Sequence, residues 1–320
     1  MIHIREKLIE VFEDTGEYCK EDKTLAAAVD YGRRHARLYE ADDYPELPVL
    51  GTEESLWLMA DDTNGSISAQ AAALQMIEAI KAGAPNDPVV HKQEIRVSRD
   101  KTFQAAMKLH KEFPDKKIAV LNFASATNPG GAVKRGSRAQ EESLCRCSTL
   151  YPSLDQRRLW EKYYEVNRKK GDALNTDACI YTPEVLICKT DEDIPVRIPP
   201  EEFVKVDVIT CAAPNLRYMP EDIQDPASGK LVRMEPLKLY ELHLKRARHI
   251  LHIAAYNKAD ILVSGAFGCG AFANDPEVVA KAWHAALAGY RARFDLIEFA
   301  IYCRDYEMEN YEAFRKNLCR

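Results

Sequence analysis

The residue types able to bind an anion and move a proton fall in two segments of this 320-residue chain. In the first, the apolar run Ile118-Ala119-Val120-Leu121 ends at Asn122. The chain then passes through Asn128-Pro129-Gly130-Gly131-Ala132 and reaches Gln140-Glu141-Glu142 at a helix start. Small residues let backbone N–H groups approach a ligand closely. Acids in a first helical turn also have an innocent reading, because they complement the helix macrodipole, and Pro-Gly-Gly can be a simple turn. In the second segment the strand Ile261-Leu262-Val263 runs into Gly265, Ala266, Phe267, Gly268, Cys269, Gly270, Ala271 and Phe272, followed by Asn274-Asp275-Pro276. Asp275 is a good N-cap and Pro276 a good first helical residue, so a helix begins just past the loop. Backbone donors from such a loop can cradle a diphosphate. Gly268-x-Gly270-x-x-Ala273 half-matches the dinucleotide-binding fingerprint, but the loop comes late in the chain, and Asp295 opens a strand where the fingerprint needs an acid to close one.

Positioning these loops requires a layered scaffold. Strands are predicted at 94–98, 117–123, 179–181, 185–189, 206–211, 260–264 and 295–302. Helices are predicted at 20–40 (capped by Asp22 or Thr24), 66–82, 102–113, from about 138–140, 154–170 (capped by Ser153 or Asp155), 236–256, 276–289 and 306–318. Near-continuous apolar strands alternating with amphipathic helices indicate an α/β fold with much of the sheet covered on both faces. Ligands in such sheets bind where strand ends lead into helix N-termini, which is where both loops fall. Pro85 and Pro88 mark a boundary near 84–90.

With 50 acidic and 44 basic side chains the net charge is −6, which argues against whole-surface attraction to duplex nucleic acid or to membranes. The first 24 residues are charged throughout, and nothing approaches the ~18 apolar residues of a spanning helix, so a cytoplasmic protein is expected. Nine scattered cysteines without a CxxC pair read as free thiols in a reducing compartment rather than disulfides or a metal site.

The joint pattern of glycine loop, short spacer and Gln140-Glu141-Glu142 resembles the signature of the poly(ADP-ribose) glycohydrolases. Asn122-Phe123-Ala124, Asn128-Pro129, Ser143-Leu144-Cys145 and Leu150-Tyr151-Pro152 look like the microbial branch, and the second loop resembles the one that wraps the diphosphate of ADP-ribose in macrodomains. The resemblance implies a three-layer α/β/α macrodomain with a mixed sheet over residues 91–320, and a helical extension over 1–90. It also implies hydrolysis of ADP-ribose linkages, first of all the ribose–ribose bond of the polymer, with no cofactor and no metal. By resemblance Glu142 is the catalytic acid, Glu141 holds the ribose hydroxyls, and Phe272 packs over the distal ribose. Asn122, Ala124, Asn128, Gly130, Gly131, Ala132, Val133, Gln140 and residues 265–272 bind ADP-ribose. The partners implied are ADP-ribose, its polymer and ADP-ribosylated proteins, met by a monomer. Adjacent helical residues point about 100° apart, so Glu141 and Glu142 cannot flank one bond as an ordinary glycosidase pair does. One must do the proton work while the other orients substrate or loop, and burial would favour the protonated acid.

One departure stands out: the family's third glycine is Ala132 here, where a methyl group would oppose a positive φ or narrow the space beside the distal ribose. Lys134, Arg135, Arg138 and Arg146 read either as a solvated basic face or as contacts to an anionic substrate. Three alternatives stay open: removal of single ADP-ribose units, for example from arginine; a non-catalytic ADP-ribose reader; and a nucleotide-dependent oxidoreductase.

Overall fold

The computed structural model describes residues 2–47, 93–218, 230–231 and 233–319. The helix expected at 66–82 and the boundary near 84–90 lie outside them. Seven strands form one mixed sheet in the order β1 (Arg37–Tyr39), β4 (Cys179–Ile187), β5 (Val204–Cys211), β3 (Ile118–Phe123), β8 (Ile261–Ser264), β9 (Leu296–Ala300) and β2 (Glu94–Ser98). The five strands from β5 to β2 run parallel, while β4 is antiparallel to both β5 and β1. A two-stranded ribbon, β6 (Arg217–Tyr218) with β7 (Lys230–Leu231), stands apart.

Strand alternation assigns the two cores. Ile118 and Val120 of β3 point to one face with Val206 and Val208, packing against Phe103, Ala106 and Leu109 of α3 (Thr102–Glu112) and Leu144 of α4 (Gln140–Cys147). Ala119 and Leu121 point to the other face, against Ile250 and Ile253 of α8 (Pro236–Tyr256), Trp283 of α9 (Pro276–Leu287) and Phe314 of α10 (Glu309–Leu318). The result is the expected α/β/α layering over a mixed sheet.

The first helices are α1 (Ile2–Glu21) and α2 (Lys23–His35). The N-cap of α2 is Asp22, whose side chain accepts the N–H groups of Thr24 and Leu25. β1 then joins the main sheet, pairing Leu38 with Ile180. α1 was not read from the sequence; its inward stripe of Leu8, Thr15 and Cys19 is narrow and interrupted by charge. Strands expected separately at 179–181 and 185–189 are one strand with an irregularity between Thr182 and Val185, where the Glu184 N–H donates to Asp207. The expected caps at Ser153 and Asp155 are not made. Helical structure starts earlier, with α5 (Leu150–Leu154), then continues through α6 (Arg157–Leu159), a π turn (Trp160–Tyr164) and α7 (Glu165–Lys170). Ser153 instead donates to the Thr149 carbonyl, and Asp155 accepts from Tyr151 and Trp160.

Candidate active site

The parallel strands β3 and β8 deliver both loops to one end of the sheet, where they line a cleft of about 550 Å³. Asn128, Gly131, Ala132, Gln140, Glu141, Glu142, Ala266, Gly268, Gly270, Ala271 and Phe272 line it. Asn122, Ala124, Gly130, Val133, Gly265, Phe267 and Cys269 are not among the lining residues, and most of them are buried in the layer that carries the loops. The cleft also takes Lys101, Thr102, Phe123 and Ser125, the acids Asp191 and Asp193, and Ile301 with Tyr302 beyond β9.

Gln140 ties the helix to the sheet. Its Oε1 accepts the Phe123 N–H at 2.8 Å, and its Nε2 donates to the Leu121 carbonyl at 2.8 Å and to the Thr102 hydroxyl at 3.0 Å. With that amide fixed, α4 brings two buried carboxyls under the glycine loop, Glu141 at 2% exposure and Glu142 at 6%. Glu141 Oε2 accepts the Ser125 N–H at 2.7 Å. Its Oε1 accepts the Gly130 N–H at 3.2 Å and Asn122 Nδ2 at 3.4 Å. Glu142 Oε1 accepts the Ala132 N–H at 2.9 Å, and its Oε2 has no protein partner. Of the four carboxyl oxygens, three are committed to the loop and one is free.

Gly131 is what allows this approach. Its φ is +56°, and a Cβ there would sit 2.6 Å from Glu142 Oε1 and 3.0 Å from Glu141 Oε2. Ala132 is different: at φ −107°, ψ 26° it has a backbone that any L-residue adopts, so the methyl group opposes no positive φ. That part of the concern about the missing third glycine is corrected.

Burial, then the negative charge of Glu142, pushes the Glu141 carboxyl well above the usual carboxylate range, although the donors from Ser125, Asn122 and Gly130 pull the other way. Glu141 thus accepts from three N–H groups, whereas Glu142 Oε2 accepts from none.

The second loop is locked by a residue that sequence reasoning left unassigned. Asn274 Nδ2 lies 2.7 Å from the Pro214 carbonyl, 2.8 Å from that of Gly268 and 3.3 Å from that of Phe272. Its Oδ1 therefore accepts from His243 Nε2, at 2.9 Å. Gly268, at φ +81°, has no room for a Cβ, which would lie 2.6 Å from Ala213 Cβ. Burial first, with the Arg246 charge, pushes the His243 imidazole down to about 4, so it stays neutral.

The four basic residues separate. Lys134 lies over the Tyr151 ring at 5.2 Å, and Arg135 and Arg138 are exposed and line the cleft. Arg146 is buried, which removes it from any solvated basic face.

The family model for the microbial-type PARG catalytic domain matches residues 9–190. Among solved structures, poly(ADP-ribose) glycohydrolase from Thermomonospora curvata bound to the inhibitor ADP-HPD is 25% identical, with a TM-score of 0.70 over 98% of this chain and 100% of that one. The same enzyme without a named ligand gives 26% and 0.71 over the same shares. Poly(ADP-ribose) glycohydrolase from Deinococcus radiodurans in complex with ADP-ribose is 30% identical, with a TM-score of 0.63 over 91% of this chain and 96% of that one. The comparison with curated proteins gave no match. The family model spans more than half of the chain, the structural likeness spans nearly all of it, and the paired acids sit beneath the glycine loop: the chain belongs to the microbial-type poly(ADP-ribose) glycohydrolases.

Proposed function

We propose that the chain hydrolyses the ribose–ribose bond of poly(ADP-ribose) and that Glu142 protonates the leaving oxygen. The observation that carries this reading is the asymmetry of the four carboxyl oxygens inside the cleft, with Glu142 Oε2 alone unpartnered. Glycosidic cleavage passes through an oxocarbenium-like state that needs a proton on the leaving oxygen and a water at the anomeric carbon. Glu142, held at Oε1 by the Ala132 N–H, supplies the proton. Glu141 keeps the loop in place and faces the ribose hydroxyls. The loop from Gly265 to Phe272, braced by Asn274, takes the diphosphate on backbone donors, with Phe272 against the distal ribose. The ADP-ribose and ADP-HPD complexes of the Deinococcus and Thermomonospora enzymes support this choice of ligand.

Among the described residues no helix is long and apolar enough to cross a membrane. Seven of the nine cysteines are buried, and all nine are free. The free, mostly buried thiols fit a reducing compartment, and we propose a monomeric cytoplasmic enzyme that acts on ADP-ribosylated proteins.

Removal of single ADP-ribose units would use the same acid. Ala132, whose N–H holds that acid, is the residue where the chain leaves the family's glycine triplet. A substrate panel separates the readings: polymer against arginine-, serine- and glutamate-linked mono-ADP-ribose. Fastest release from the polymer is expected. Turnover confined to one mono-linked substrate would replace the polymer, and tight ADP-ribose binding without turnover of any substrate would make the chain a reader.

A further inference from the structure

Arg146 is 2% exposed, and its guanidinium makes no ion pair among the described residues. Nη1 donates to the Ser137 carbonyl at 2.6 Å, while Nε has no partner. A buried cation without a counter-ion is costly and persists only where something compensates it. Arg146 lies four residues after Glu142 on α4, hence on the same face of the helix, and both line the same cleft. One turn of helix thus carries a buried acid with an unpartnered oxygen and a buried guanidinium with an unpartnered N–H.

Among the other acids, the buried Asp191 also acts on Arg146 electrostatically, though after Glu142, and burial pushes its own carboxyl up. On α4 the only other acid is Glu141, committed to Ser125, Gly130 and Asn122. From the 191–193 loop, Asp191 is taken by the Ser143 hydroxyl and the Phe103 N–H, while Asp193 pairs with Lys101 of the α3 N-cap and with Arg138. Arg135 adds a further cation at the cleft, and Glu192 an exposed acid. From α1, Asp14 pairs with Lys189 and Arg197.

We infer that Arg146 is a positioning residue for the proton transfer: its fixed charge stabilises the doubly ionised Glu141–Glu142 pair that exists once Glu142 has given its proton away. This rests on the reading of Glu142 as the acid. In the step, the Glu142 O–H bond breaks as the leaving oxygen gains the proton and the ribose C–O bond opens. Water then adds to the anomeric carbon, and its released proton returns to the pair. Between these events the buried pair carries two negative charges, and Arg146, one helical turn from Glu142, is the buried cation that acts on it electrostatically. The α1 helix fixes the same turn, because the Thr15 hydroxyl donates to the Arg146 carbonyl at 2.6 Å.

The sign of the effect distinguishes this role from a structural one. Removing the positive charge makes the pair hold its proton more tightly, so donation slows while the protonated form survives to higher pH. Arg146→Gln keeps a polar N–H on the side chain and removes the charge, while Arg146→Lys keeps the charge without the guanidinium. We expect kcat on poly(ADP-ribose) to fall at least about tenfold. The alkaline limb of the kcat/KM profile should move up by about one pH unit, with ADP-ribose affinity unchanged by calorimetry. Arg146→Lys should restore the position of the limb. If Arg146→Gln does not fold, as shown by loss of ADP-ribose binding, Arg146→Met is measured in the same way. A limb that stays in place or moves down in a variant that still binds ADP-ribose overturns the inference. Glu142→Gln is run alongside: full activity there would fail the acid assignment itself, whereas an inactive Glu142→Gln with an unmoved Arg146 limb fails only this inference.

Discussion

Gly131→Ala tests the link between the glycine loop and the acid pair through a single methyl group. The φ of +56° costs an L-residue about 1–2 kcal/mol, which should lower the melting temperature by roughly 2–4 °C per kcal/mol in a domain of this size. The steric effect is local. Ordinary contact begins at 3.4 Å, so a Cβ placed 2.6 Å from Glu142 Oε1 drives that oxygen back by about 0.8 Å. This strains the 2.9 Å bond from the Ala132 N–H. Misplacing a catalytic group by about 1 Å can cost on the order of 100-fold. The assay is release of free ADP-ribose from the polymer by chromatography, with ADP-ribose binding by calorimetry and melting by fluorimetry on the same preparation. The expected result is a folded, ligand-competent protein with kcat down about 100-fold. A variant within about twofold of the parent kcat, at the lowered melting temperature, would refute the argument that Gly131 exists to admit the carboxyls.

Other outcomes follow from the same geometry. Ala132→Gly sits at an unstrained backbone position and should cost no more than about 1 kcal/mol in denaturant unfolding; if the polymer-to-mono preference does not change, the methyl group plays no part in substrate choice. Phe272→Ala removes a half-buried ring from the cleft and should raise KM about fivefold, corresponding to about 1 kcal/mol, in steady-state kinetics on the polymer. His243 is held neutral down to about 4 when folded against 6.5 unfolded, so the unfolded chain takes up the proton first as pH falls. Stability should therefore be lost progressively from about pH 6.5 to 4, up to about 3 kcal/mol, and His243→Gln should flatten that slope in urea titrations.

Much of the architecture was legible because its signals are local. Pro236 and the long amphipathic stretch after it define α8 at both ends, and Asp275-Pro276 announces α9, where the Asp275 carboxylate does accept the Glu277 and Val278 N–H groups. The parts that were missed depend on distant partners. β1 is three residues long and exists because β4 offers an edge 142 residues away. In α1, Thr15 lies on the inward face, where the distant Arg146 carbonyl receives its hydroxyl. The acids and both loops could be found from spacing, but the division of labour between Glu141 and Glu142 could not, since it depends on which backbone N–H groups the folded loop presents. Asn274 was visible only as a loop residue; its three carbonyl partners come from Pro214, Gly268 and Phe272. Arg146 could be read from the sequence as part of a solvated basic face or as a contact to an anionic substrate; the structure buries it.

The central claim is that Glu142 carries the proton. Single-turnover release of ADP-ribose from poly(ADP-ribose) by Glu142→Gln, with ADP-ribose binding measured on the same sample, addresses it directly. The account predicts intact binding and release slowed by at least about 100-fold across the pH range. Undiminished release from that variant would contradict it.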